Sequence, residues 1–208
     1  MIVAIESEPR TGKAYIYSLM CRSFGYTPGN VPMSDTLRGL TELSLESWCF
    51  EYLLSIILNF TTQPASSNVV YKNLLVEHTL LIGFWHIRYI TDNELAILRR
   101  CCNLFIPDIT PDIVIYSSAD EHLLASFYKG HDPSEKHTHF MTSVNISRSF
   151  KEVFRKVLPK SGPRLLTLSS EWPYMDSVVR ASVVSKISNF IDTTVQRTHV
   201  PVCKILLA

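Results

Sequence analysis

Apolar and polar residues fall into blocks whose period switches repeatedly between that of a strand and that of a helix. Ile2-Val3-Ala4-Ile5 is an unbroken apolar run ended by Glu6, and it predicts a short buried strand. A helix is expected over Gly12 to Phe24. Gly25 to Leu43 contains Pro28, Gly29, Pro32 and Gly39, which makes it mostly loop with one short helix. Leu45 to Asn59 carries apolar residues at helical spacing on more than one face, the mark of a buried helix. A turn over Gln63 to Asn68 leads into a strand over Val69 to Val76, and a helix over Asn93 to Phe105 ends before Pro107. Ile113 to Tyr116 lies between Pro111 and Ser117-Ser118, and its β-branched and aromatic run predicts a central strand covered on both faces. Helices over Asp120 to Lys129 and Ser143 to Leu158, a strand over Leu165 to Leu168 and a long helix over Met175 to Val195 complete the series. Strands separated by helices of this length require right-handed crossovers. The expectation is a three-layer α/β fold, a parallel sheet with helices on both faces, formed as one domain over residues 1–208.

Composition narrows the function classes. The 208 residues are 46% hydrophobic, enough for one full core and too many for a disordered chain. Twenty basic residues against nineteen acidic leave a formal charge of +1, which argues against broad nucleic-acid binding. No apolar run approaches the roughly 18 to 20 residues of a membrane span. The N-terminal run is followed by Glu6 and Glu8, unlike a signal peptide or an Arg-rich transit peptide. Five cysteines without CxxC spacing fit a reducing, intracellular compartment, mitochondrial matrix or cytoplasm. His131, His137 and His139 cluster in a polar stretch with no cysteine or paired carboxylate, so a solvated segment is expected there rather than a metal site. Trp48, Phe50, Tyr52, Trp85 and Tyr89 suit a core, with a nucleobase pocket as the alternative.

The chemistry concentrates after the first strand. In Ser7-Glu8-Pro9-Arg10-Thr11-Gly12-Lys13-Ala14 a strand leads through a tight loop to Gly-Lys opening a helix. Such a loop cradles phosphates with backbone N–H groups while the lysine reaches the terminal ones. Arg10, Thr11, Gly12 and Lys13 are therefore candidate nucleotide-binding residues. Against the full GxxxxGK[ST] pattern, Ser7 replaces the first glycine and Ala14 replaces the hydroxyl residue that would hold Mg²⁺. Pro9 has no N–H, and Glu8 would repel the anion.

Taken together, the chain from Ile2 to about Ile191 resembles the deoxynucleoside kinases, P-loop enzymes related in fold to thymidylate kinase. Leu45-Glu46-Ser47-Trp48 is similar to the family helix motif whose glutamine reads the base, and this implies Glu46 and Trp48 in the substrate pocket. Leu74-Leu75-Val76-Glu77-His78-Thr79 looks like the strand ending in Glu-Arg-Ser, which implies Glu77 as a Mg²⁺ ligand with His78 in place of arginine. Pro111-Asp112-Ile113-Val114-Ile115-Tyr116 resembles the strand before the lid helix, and Arg164-Leu165-Leu166-Thr167-Leu168 the last core strand. The lid would cover about residues 125–140, with Lys129-Gly130-His131 where the family supplies arginines. Met33 falls where the family has its carboxylate base, with Asp35 close but out of register, and Gly83-Phe84 replaces an Asp-Arg pair.

The resemblance thus implies a degenerate member that binds ATP or another nucleotide, holds Mg²⁺ poorly, and transfers phosphoryl groups weakly or not at all. It would act as a nucleotide-binding or structural subunit with a protein partner. The helix motif and Lys129-Gly130-His131-Asp132-Pro133-Ser134-Glu135 are also similar to a kinase-like accessory subunit of mitochondrial respiratory complex I. The alternative is an active deoxynucleoside or nucleoside monophosphate kinase, using Lys13, Arg10 and Lys129 on the phosphates, Glu77 on the metal and Asp35 as base.

Overall fold

β1 (Ile2–Ser7) lies at the centre of a five-stranded, wholly parallel sheet, because its apolar side chains on both faces can be buried only there. The computed structural model describes residues 1–7, 11–30, 45–60, 68–118, 151–156, 164–169 and 177–198. The further strands are β2 (Thr27–Pro28), β3 (Val69–Lys72), β4 (Ile113–Ser118) and β5 (Arg164–Ser169), in the spatial order β2-β3-β1-β4-β5. The helices are α1 (Lys13–Ser23), α2 (Leu45–Leu58), α3 (Leu80–His86), α4 (Asp92–Phe105) and α5 (Ser177–Thr198), with a helical stretch at 151–156. Two compact units divide the chain, Met1–Trp172 with the whole sheet and Pro173–Ala208 with α5, where Val183 and Ile187 are buried.

The strands sort their side chains by the two-residue period. Ala4, Val69, Tyr71, Val114 and Tyr116 share one core with Leu53 and Ile57 of α2, Phe84 of α3 and Leu98 of α4. Residues of the opposite parity, including Lys72, face the other side, where the Lys72 ammonium lies 4.7 Å from the centre of the Tyr17 ring on α1. Helices therefore cover both faces of a parallel sheet, as the sequence predicts. α4 starts where Thr91 and Glu94 form a reciprocal capping box.

Three elements depart from expectation. β2 is a two-residue edge strand inside the predicted loop; Pro28 is tolerated because the outer edge needs no N–H donor, and Thr27 and Gly29 supply the bonds to Asn68 and Val70. β3 stops at Lys72 rather than Val76, because Asn73 takes a left-handed conformation with φ 56°. α3 occupies a segment for which no element is expected, its Leu80, Leu81 and Phe84 buried in the core. The predicted helix Asp120 to Lys129 lies outside the described residues, as do most of the predicted helix Ser143 to Leu158 and nearly all of the predicted turn Gln63 to Asn68.

Candidate functional site

The chain leaves β1 to build β2 and β3 on one side and returns to place β4 on the other, so the strand order reverses at β1. In open parallel sheets ligands bind outside the carboxyl ends of strands at such a point. Here β1 gives way to a loop that enters α1 through Gly12, whose φ of 87° is left-handed and admits glycine readily. Thr11 pins this loop to β4: its hydroxyl donates to the Ser117 carbonyl at 3.0 Å, and the Ser117 hydroxyl donates to the Thr11 carbonyl at 2.6 Å. The Thr11 hydroxyl thus holds the loop in place and is itself buried.

Lys13 begins α1 and folds back on the strand ends. Its ammonium donates to the Ser7 carbonyl at 3.4 Å and to the Asn73 side-chain oxygen. Beside it, Glu6 is fully buried at the end of β1. One Glu6 oxygen accepts from the Leu75 N–H at 2.9 Å; among the described residues the other has no hydrogen-bond partner. Burial pushes the carboxyl up to about 7, against the opposing pull of the Lys13 charge and the backbone of Leu75 and Leu74. The same carboxylate receives the chain just after Asn73, which explains locally why β3 ends where it does.

A cleft of about 170 Å³ opens next to Lys13 and Ala14, and Asn30, Tyr52, Ile56, Asn59, Lys72 and Asn73 complete its lining. Asn30 is held from three directions. Its carbonyl accepts from the Tyr17 hydroxyl at 3.0 Å, its N–H donates to that hydroxyl at 3.4 Å, and its side-chain oxygen accepts from the Lys72 N–H at 2.5 Å. Gly29 brings Asn30 here by lying against the Tyr71 ring, where a Cβ would stand 2.3 Å from ring carbons. Burial lowers the Lys72 ammonium below its ordinary value and raises the Tyr17 hydroxyl to about 12.

The expected residues separate accordingly. Gly12 and Lys13 stand at the mouth of α1, and Lys13 lines the cleft. Glu77 does not line the cleft. It follows the shortened β3 by five residues and faces α4, where Arg99 approaches its carboxylate at 3.8 Å. Glu46 and Trp48 lie in the first turn of α2, with side chains outside the described residues. Arg10, Met33, Asp35 and Lys129 also lie outside them. Tyr52 lines the cleft, whereas Trp85 turns its indole N–H to Asp92 at 2.7 Å. Reading the sequence missed Glu6, Asn30, Asn59, Lys72 and Asn73; an acidic residue directly after an apolar strand run was the one available signal.

The described residues do not fit a Mg²⁺ site. Ala14 has no side-chain oxygen, Glu77 is turned to Arg99, and among the described residues no three His, Cys, Asp or Glu side chains converge. What the site offers is cationic and amide donors at the end of a sheet, suited to holding an anion.

No family model matches the chain, and no curated protein matches it. Solved structures do. Deoxyadenosine kinase from M. mycoides with bound dATP superposes with a TM-score of 0.63 at 15% identity, covering 91% of this chain and 100% of that one. The structure of that kinase with bound dCTP gives 0.62 at 13% identity, with the same coverage of both chains. At this identity the likeness is one of architecture, and it matches the sheet and helix order described above. The chain has the α/β P-loop fold of the deoxynucleoside kinases.

Proposed function

We propose that this protein binds a nucleotide through the loop and helix start around Lys13 and is impaired in phosphoryl transfer. The observation that carries this is the state of Lys13. Its ammonium is bonded to Ser7 and Asn73 and lies near a buried carboxyl, so a phosphate must compete with partners inside the protein. Phosphoryl transfer is chiefly positioning and charge stabilisation, and losing one donor to the transition state commonly costs about 10²- to 10³-fold in rate. With Ala14 unable to hold Mg²⁺ and no carboxylate among the described residues that line the cleft, several such contributions are missing together. The deoxynucleotides bound to the mycoplasmal kinase make dATP and ATP the first ligands to test. Titration of ATP with and without Mg²⁺ should give weak binding that changes little with the metal and is lost in Lys13→Ala. Single-turnover phosphorylation of a deoxynucleoside, abolished by Lys13→Ala, would defeat this reading in favour of a working kinase.

A role within a larger assembly has separate support. Ile97, Leu104 and Phe105 of α4 are 51%, 77% and 47% exposed, an apolar stripe at helical spacing unlike a solvated face. The resemblance to a complex I accessory subunit is one form of this reading. Leu104→Asp should release the protein from such an assembly while leaving its thermal stability unchanged. Among the described residues no helix is long and apolar enough to cross a membrane.

A further inference from the structure

Among the described residues Glu6 is the only acid that is fully buried, and the nucleotide reading gives its side chain no task. It stands one residue before the end of β1 and outside the set of residues that line the cleft, so it meets a ligand there only through Lys13. One carboxyl oxygen accepts from the Leu75 N–H at 2.9 Å, while the other has no hydrogen-bond partner among the described residues. Its neighbours in the sheet carry no charge at neutral pH: Tyr116 of β4 is in register with Glu6, and Tyr71 of β3 with Ala4 two residues earlier. The corner after β3 adds only Asn73, Leu74 and Leu75. Lys13 comes from α1, and among the described residues its ammonium is the charge that acts on the carboxyl. The Ser7 carbonyl and the Asn73 amide, which accept from that ammonium, are neutral. Hydrogen bonds between charged partners are roughly twice as strong as neutral ones, so a phosphate displaces such acceptors readily. A buried carboxylate is different, because removing its countercharge leaves a negative charge unpaired in the interior. Such a group neutralises itself by binding a proton.

From this arrangement we propose that Glu6 is a positioning residue of the nucleotide site, acting through Lys13. Ionised, it holds the ammonium back at the strand ends; when a phosphate draws the ammonium off, the carboxylate takes up one proton from solvent. The inference rests on the nucleotide reading and adds to it a proton that binds together with the ligand. Burial has already brought the carboxyl up to about 7, so the exchange falls near neutral pH. The Lys13 charge pulls the carboxyl down, and its departure raises it further in the complex. Ligand affinity is therefore highest below pH 7, where the proton is already in place. It falls above pH 7, where the proton must come from solution.

The test is calorimetric titration of the intact protein with Mg²⁺-free ATP, for wild type and Glu6→Gln, from pH 6 to 8 in buffers of different ionisation enthalpy. Glutamine is the neutral counterpart of the protonated acid and keeps an oxygen for the Leu75 N–H. It should therefore bind ATP as wild type does at pH 6, whatever the pH. With the carboxyl at about 7 in the free protein and about one unit higher in the complex, wild type should lose about fivefold in affinity between pH 6 and 8 relative to the variant. At pH 7.5 it should take up about half a proton more per ATP bound. The titration of ATP itself is common to both proteins and cancels in the comparison. A substitution that merely loosened the loop would change affinity alike at every pH. ATP binding with the same pH profile and the same proton count in both proteins overturns the proposal and leaves the nucleotide reading standing. Binding by neither protein defeats the nucleotide reading, and the proposal falls with it. Should the variant fail to fold, the wild type decides alone, and ATP binding without proton uptake at pH 7.5 overturns the proposal.

Discussion

The two ends of the β-sheet solve the same problem of satisfying polar groups in opposite ways. At the amino end of β1, the Ile2 N–H donates to the exposed Asp112 carboxylate at 2.7 Å, the Asp112 N–H returns a bond to the Ile2 carbonyl at 2.8 Å, and the terminal ammonium reaches Asn68 at 3.0 Å. Charges there stay near water and their partners are neighbours across the sheet. At the carboxyl end the Glu6 carboxyl is buried with one oxygen unpartnered among the described residues, Gly12 and Asn73 take left-handed conformations, and two lysines line a cleft. Strain and buried charge persist in a fold only where the surroundings hold them, and they cluster most often at functional sites. One end of the sheet settles its polar groups beside water, and the other gathers strain and buried charge around a cleft.

The largest expected effect comes from the scaffold. Ile113 begins β4, is fully buried and pairs with Val3, so Ile113→Ala should cost about 2–5 kcal/mol. Urea unfolding would show it as a lower midpoint at unchanged slope. A loss below 1 kcal/mol would mean that the amino end is not the stable one.

Glu6→Gln should act in the other direction. The carboxyl sits near 7 in the folded protein against an ordinary 4.5, so between those values the folded state binds more protons than the unfolded chain. Stability is then greatest below about 4.5 and falls as pH rises through 7. The glutamine variant should lack this slope and exceed the wild type above pH 7 by up to about 3 kcal/mol. Parallel melting curves of both proteins from pH 4 to 8 would contradict it.

How much of this was legible follows from where each determinant lies. The strands β1 and β4 and the helices α1 and α4 could be read, because apolar runs and periodicity are local. The end of β3 could not. It is set by Asn73 and by a bond from the Leu75 N–H to Glu6, 69 residues away in sequence. The family resemblance of Leu74 to Thr79 implied Glu77 as a metal ligand at the end of a strand; the strand ends at Lys72, and Lys72 and Asn73 line the cleft. A lysine after an apolar strand run gives no sign that Tyr17 and Asn30 will receive it. β2 was hidden for a related reason, since two residues of edge strand carry no period.

Gly29→Ala tests the wall that supports the cleft. Its Cβ would meet the Tyr71 ring, which is fixed by stacking on Phe60 at 6.0 Å between ring centres. Overpacking of this kind costs about 1–3 kcal/mol. Asn30, which lines the cleft beside Lys13, should be displaced with it, so ATP binding should weaken alongside the fall in melting temperature.

The smallest effect should come from restoring what the loop lacks. Ala14 is exposed at the first turn of α1, so Ala14→Ser has room and should change stability by no more than about 0.5 kcal/mol. It returns a hydroxyl to the position from which a phosphate-binding loop holds Mg²⁺. Yet Lys13 would remain bonded to Ser7 and Asn73, and Glu6 would stay beside it. A metal ligand without an available lysine supplies only part of the charge that a triphosphate needs. The expected gain in ATP affinity on adding Mg²⁺ is therefore about threefold or less. A tenfold gain would place the defect in the missing hydroxyl alone, and the engagement of Lys13 at the carboxyl end of the sheet would then be of little consequence for binding.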